Sequence, residues 1–267
     1  MRKTLRVGAA ALLAAAALGA QTLEQAESLW KAGRYKEAND VFIALVAKYP
    51  QNPDYRVRWG RHFLEFSQPD EAKKLFQEAL GIKKDCAGAY LGLALVAADG
   101  FEGAAAEYAK TALTLDPRLL EAQELLAKLA LEDNDDARAS EEAQKALKID
   151  PNSVQAKAVL AAMDLLADKK ETPWDPRDAA GYESIGRFFV LNRRYDEGIQ
   201  YLRKAIALNP NLYSARSQLG INLMRMGQED EAYQQLETAF NNGPKNVATE
   251  NSLKLLDTLK KFETVKE

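Results

Sequence analysis

Small, aromatic and turn-forming residues return along this chain at a fixed interval. Ala112, Asp116 and Pro117 are followed 34 residues later by Ala146, Asp150 and Pro151, and Gly186, Ala205 and Pro210 by Gly220, Ala239 and Pro244. Ala38 to Ala72 and Phe42 to Phe76 make the same 34-residue step. A period of this length belongs to helix-turn-helix units stacked side by side, each burying its apolar flank on the next. Ala or Gly where two helices cross permits approach to about 8–10 Å, and an aromatic fills the gap beside it. Gly in the turn takes a left-handed backbone at no steric cost, and Pro beyond the second helix stops it. The pattern predicts an all-α solenoid, whose usual product is a long binding surface.

The units are not uniform. The first runs from about Gly19 to Asn52 with Gly33, Tyr35, Ala38, Phe42 and Pro50; the second carries Trp59, Gly60, Ala72, Phe76 and Ala79. The third, about Ala87 to Leu119, is one residue short, since Ala72 to Ala105 is 33, and a tightened turn over Asp99, Gly100 and Phe101 is expected to absorb this with both helices intact. In the fourth, about Leu120 to Ser153, Ala130 and Ala143 replace aromatics and predict closer or looser packing. After Pro151 the rhythm breaks: Val154 to Ala167 reads as a lone first helix, followed by a polar linker at 168–177. Asp175, Pro176 and Asp178 signal the next helix start. The expected organisation is a signal peptide at 1–20, an array of about four and a half units at 21–167, two units at 178–246, a capping helix at 247–262 and a tail at 263–267. Two units alone are too few for stability, so the second block is expected to stack on the lone helix with Trp174 at the joint. Gly198, where Ala is usual, predicts either a weakened helix, by about 0.5–1 kcal/mol, or a close backbone approach.

The set formed by Tyr182, Gly186, Phe189, Tyr195, Ala205 and Pro210, and again by Leu219, Gly220, Gly227, Ala232, Ala239 and Pro244, resembles the tetratricopeptide repeat family. The resemblance covers nearly the whole chain after the first twenty residues. It implies a right-handed α-solenoid in which the first helix of each unit lines a concave, partner-binding surface. Mapped onto this sequence, that surface is expected to hold Val57, Arg61 and Leu64; Leu91 and Leu95; Lys128 and Leu131; Ala162 and Leu165; Arg187 and Val190; and Ile221 and Met224. This stripe is more apolar than a solvated groove needs to be, and fits an apolar segment of a protein partner. The family's grip on a chaperone's acidic tail needs Lys and Asn at fixed concave positions. Here Val57 and Arg61, or Leu91 and Leu95, stand there, so that function is not carried over.

Charge and composition narrow the setting. Arg2, Lys3 and Arg6, an uncharged run from Val7 to Leu18 and the small pair Gly19 and Ala20 form the basic, apolar and small segments of a secretory signal peptide, with cleavage expected near Gly19 to Gln21. The run is shorter than the roughly 20 residues that cross a bilayer, so no integral span is expected. Gln21 stands where a lipid-anchored protein has cysteine, so no lipid anchor is expected either. The location predicted is periplasmic or secreted. Loss of the three cations leaves 33 basic against 39 acidic residues, a net of −6. An acidic chain without a basic block offers no electrostatic reason to bind nucleic acid. Cys86, alone in the chain, cannot form an internal disulfide and reads as a small, partly buried residue.

Catalytic chemistry finds little material. His62 and Cys86 are single, no HExxH or paired CxxC spacing occurs, and no nucleophile elbow accompanies His62, which reads as a solvated or partly packed ring. The acidic run at Glu132, Asp133, Asn134, Asp135 and Asp136 lacks calcium-loop residues, because Ala137, Arg138 and Gln144 stand where oxygen ligand, Gly and acid are required. It reads as a turn whose carboxylates start the following helix. No metal or cofactor is expected. The function expected is a non-catalytic scaffold or assembly factor of the cell envelope that binds a partner segment on its concave face. The alternative is the front half of a larger secreted enzyme, since a β-prone segment begins near Lys260 and the join resembles exported repeat proteins followed by a zinc-peptidase-like domain.

Overall fold

The computed structural model describes residues 22–66, 68–100, 103–167, 179–243 and 246–259. Among the described residues all regular structure is helical. Two helices form the first unit, α1 (Leu23–Lys31) and α2 (Tyr35–Lys48), followed by α3 (Pro53–Glu65) with α4 (Pro69–Ile82), α5 (Ala87–Asp99) with α6 (Ala105–Leu115), and α7 (Leu120–Glu132) with α8 (Asp136–Ile149). Then come α9 (Val154–Leu166), α10 (Ala179–Leu191) with α11 (Tyr195–Leu208), α12 (Tyr213–Arg225) with α13 (Glu229–Asn242), and α14 (Val247–Leu259). Each pair forms an antiparallel hairpin that packs on its neighbours in chain order. Residues 1–21, where a signal peptide is expected, Trp174 with the rest of the expected linker, and residues 260–267 lie outside the described residues.

Local chemistry sets the helix ends. Thr22, Asn52, Asp135 and Ser153 cap their helices by accepting from backbone N–H groups of Gln25, Asp54, Arg138 and Ala156. The Asp133 to Asp136 run is therefore a turn with an N-cap. Gly33 and Gly227 have φ of 75° and 74° in the hairpin turns, and Asn134 and Arg193 take the same left-handed place in theirs. In the short third unit Gly100 has φ −83°. The turn expected to absorb the lost residue includes Phe101 and Glu102, which lie outside the described residues. Helix α6 starts at Ala105, the equivalent of Ala72, and has 11 residues where α4 has 14.

The core is built of very small residues at the crossings. Ala26, Ala94, Ala127 and Ala161 on first helices, and Ala38, Ala72, Ala139 and Ala232 on second helices, are 0–1% exposed. Where glycine takes that place, contact is closer still. A Cβ on Gly198 would lie 2.7 Å from Val190 Cγ2 and 3.0 Å from the Gly186 carbonyl oxygen, so glycine here serves the approach of α10 and α11. Phe76 is fully buried with its ring against Gly60 of α3 and Gly92 of α5. It joins two consecutive first helices.

Helix α9 stacks directly on α10. Ala158, Val159, Ala161 and Ala162 meet Ile185, Phe188 and Phe189 in one apolar cluster that also takes in Ala139, Ala143 and Ala146 of α8. The alanines of the fourth unit, Ala130, Ala139, Ala143 and Ala146, are fully buried in it. Helix α10 also touches α7. The first helices α7, α9 and α10 thus form one continuous inner wall across the break in the repeat.

Candidate functional site

Polar rungs tie successive first helices together along the inner wall. Ser153 Oγ donates to Glu124 Oε1 at 2.6 Å; Gln155 Nε2 donates to Ser184 Oγ at 3.0 Å; Gln218 Nε2 donates to Glu183 Oε1 at 3.0 Å; and the hydroxyls of Ser217 and Thr249 pair at 2.5 Å. A longer connection skips a unit. Arg61 Nη2 of α3 reaches Glu121 Oε1 of α7 at 2.6 Å, past α5. That ion pair crosses the concave side and draws the second and fourth units toward each other.

Inside this wall lie adjoining cavities that share residues. One of about 360 Å³ is lined by Arg61, Leu64, Glu65, Leu95, Ala98, Asp99, Glu121, Leu125, Lys128 and Arg187. A second of about 370 Å³ shares Ala98, Asp99, Lys128 and Arg187 and continues to Glu132, Val190, Leu191, Gln218, Ile221, Asn222 and Arg225. A smaller cleft of about 130 Å³ sets Glu65 opposite Tyr213, Ser214, Ser217 and Thr249. The array therefore curves until its second unit faces its last helices, and the cavities form one channel from α3 to α14.

Of the residues expected on this surface, Arg61, Leu64, Leu95, Lys128, Arg187, Val190 and Ile221 line the channel. Leu91, Leu131 and Ala162 do not: they are 5%, 2% and 0% exposed and belong to the packing between helices. Val57, Leu165 and Met224 are half-buried against neighbouring core clusters. The apolar stripe read from the sequence is thus largely spent inside the fold. What remains toward the lumen is mixed, with aliphatic patches among Arg61, Lys128, Arg187 and Arg225 and the acids Glu65, Asp99, Glu121 and Glu132. Glu65, Asp99, Glu132, Leu191 and Arg225 recur at the last position of successive first helices. The 34-residue register that located Arg61 and Ile221 would have found them one turn further on.

Tetratricopeptide repeat family models match residues 23–85, 57–100 and 91–154, and a further one matches 189–249, together more than half of the chain. The chain belongs to the tetratricopeptide repeat family. No curated protein sequence matches it. A tetratricopeptide repeat protein from Parabacteroides merdae superposes with a TM-score of 0.56 at 18% identity, covering 88% of this chain and 97% of that one. A chain in the structure of the APC/C hetero-tetramer Cut9-Hcn1 superposes with a TM-score of 0.52 at 17% identity, over 86% of this chain and 48% of that one. This chain spans about half the length of that relative. At such identities the likeness is one of fold.

Tetratricopeptide repeats act as protein-interaction scaffolds. His62 stacks on Trp30 with centroids 4.4 Å apart, and its side chain is 12% exposed. Trp30 Nε1 donates to Glu65 Oε2 at 2.8 Å, and His62 Nδ1 lies 3.6 Å from the same oxygen. The His62 neighbour, with the Trp30 hydrogen bond, holds the Glu65 carboxyl below the usual carboxylate range. This is a packed corner of the first two units. Cys86 is buried at the start of α5. Among the described residues no group of three or more His, Cys, Asp or Glu could hold a metal ion, and no helix is long and apolar enough to cross a membrane.

Two rung carboxylates behave oppositely to Glu65. Burial pushes Glu124 up against the hydrogen bond from Ser153, with Glu121 and Asp150 adding to the shift. Burial likewise pushes Glu183 up, against Ser214 and the charge of Arg187. With raised folded values, both take up protons in the folded chain before the unfolded one does. Their contribution to stability therefore grows as pH falls from neutral through those values, whereas that of Glu65 is present above the usual carboxylate value and is lost as pH falls through its lowered one. Urea midpoints measured at pH 7 and pH 5 should show Glu124→Gln with Glu183→Gln gaining stability at pH 7 relative to the parent and losing that advantage at pH 5.

Proposed function

We propose that this chain is an exported, non-catalytic scaffold or assembly factor of the cell envelope that holds a segment of a partner protein in its channel. The observation that carries this reading is the channel itself. Five first helices contribute side chains to a continuous lumen, and among the described residues no group of three or more His, Cys, Asp or Glu could hold a metal ion. Export is supported by the order of basic, apolar and small segments at the N-terminus. An amphipathic partner segment suits the lumen better than the apolar one suggested by the sequence, because charged and aliphatic side chains line the same wall.

The test uses purified protein as bait in an envelope extract, beside a variant with Lys128→Glu, Arg187→Glu and Ile221→Asp in the channel and one with Lys74→Glu on the outer surface. A protein retained by the parent and the outer variant and lost from the channel variant is the result expected. Capture equal in all three would overturn the assignment. Mass spectrometry of the protein from cells should find its first residue near Gln21.

A further inference from the structure

The inner helices are not fastened alike along the array. From α7 onward each is tied to the next by a side-chain hydrogen bond, and at the other end α1 is tied to α3 by Trp30 donating to Glu65. Between these stretches stands α5, an Ala, Gly, Leu and Val helix in which Tyr90 and Asp99 are the only polar side chains. Among the described residues neither of them hydrogen-bonds to another helix. Apolar packing is non-directional, whereas a hydrogen bond weakens steeply when its angle is lost, so α5 resists tilting least. It is the joint at which the curve of the array can change.

Arg61 passes over this joint. Its Nη2 donates to Glu121 Oε1 at 2.6 Å, from α3 to α7 across the concave side. In a straight stack two such helices stand about 16–20 Å apart, twice the usual spacing. An extended arginine reaches about 7 Å beyond its Cα and a glutamate about 5 Å, so with 2.6 Å between their ends they bridge about 15 Å at most. The pair therefore forms only where the array is bent inward at α5. It is also a shallow bond, since the Arg61 and Glu121 side chains are 33% and 44% exposed and thus open to screening by salt. Arg61 Nη1, by contrast, is buried without a hydrogen-bond partner among the described residues. The residue holds the bend through one nitrogen and is left short at the other, so closure gains little over an opened form.

One end of the channel is placed to feel this movement. Glu65, one turn beyond Arg61 on α3, faces Tyr213, Ser214, Ser217 and Thr249 across the cleft of about 130 Å³. A tilt of α3 at the α5 joint widens or narrows that cleft. We propose that Arg61 and Glu121 form a strap that holds the channel closed over a hinge at α5, and that breaking the pair swings the first two units, α1 to α4, away from α12 and α14.

Pulsed electron paramagnetic resonance on the purified protein measures the swing. Nitroxides are placed by Gln77→Cys on α4 and Gln234→Cys on α13, with Gln144→Cys on α8 and Gln234→Cys as the control pair; all three positions are exposed, and Cys86→Ala removes the native thiol. Arg61→Gln and Glu121→Gln should each lengthen the Gln77 to Gln234 distance by about 3 Å or more, the difference between the braced span and a straight stack, and leave the control distance unchanged. Arg61→Glu combined with Glu121→Arg should return the parent distance. In the parent that distance should lengthen as NaCl rises from about 0.1 M to about 1 M, over which the screening length falls from about 10 Å to about 3 Å, and in Glu121→Gln it should not. Single variants that keep the parent distance, a charge exchange that does not restore it, a parent indifferent to salt, or both distances changing together overturns the strap. Since the salt series is read on the parent, the result does not depend on how well Arg61→Gln folds. No partner enters the measurement, so the scaffold reading stands whichever way it falls.

Discussion

Replacing Phe76 by alanine lowers the stability of the array by about 3–5 kcal/mol, the cost of removing a fully buried aromatic and leaving a cavity that its surroundings cannot close. The surroundings are the reason for the large figure. Phe76 lies against Gly60 on one side and Gly92 on the other, where Cβ atoms would come within 2.7 Å and 2.3 Å of its ring. Neither glycine has a side chain that could swing into the space. The loss falls on the seam between the second and third units, so hydrogen exchange in α3, α4 and α5 should quicken before that in α12 and α13. Exchange that rises uniformly, or a loss below 1 kcal/mol in urea titration, would contradict this account of the seam.

Ile185→Ala should cost about 2–5 kcal/mol and act mainly on the C-terminal units. Ile185 is 0% exposed in the cluster where α9 meets α10. Stability in a repeat array is roughly a sum of unit terms and nearest-neighbour interfaces, and the two units after α9 have few neighbours of their own. Weakening their contact with α9 should release α10 to α13 as a block while α1 to α8 keep their protection. Pulsed hydrogen exchange at moderate urea reads this directly, and a single cooperative loss across all helices would sink it.

The architecture was legible because its cause is periodic. Ala38 and Ala72, or Gly186 and Gly220, occupy crossings that recur every 34 residues, and the structure finds a helix pair at each. The direct stacking of α9 on α10 was also within reach, because two isolated units cannot bury enough surface. Less legible was the length of α6, which starts at Ala105 and has 11 residues where α4 has 14, because a residue count does not say where a helix begins. The channel was legible by half. Arg61, Lys128, Arg187 and Ile221 follow from position along a helix, yet the rotation of each first helix about its own axis depends on its neighbours. Leu91, Leu131 and Ala162 are taken up by packing between helices, while Asp99, Glu132 and Arg225 lie one turn beyond Leu95, Lys128 and Ile221 on the same face.

The rungs from Glu124 to Ser153, Gln155 to Ser184, Glu183 to Gln218 and Ser217 to Thr249 join neighbouring inner helices through partners 29, 29, 35 and 32 residues apart in the chain. Sliding one inner helix along the next would break a hydrogen bond at each of these joints. The curvature of the C-terminal half is therefore clasped by directional contacts as well as by apolar packing, and a partner meets a wall whose steps are already locked.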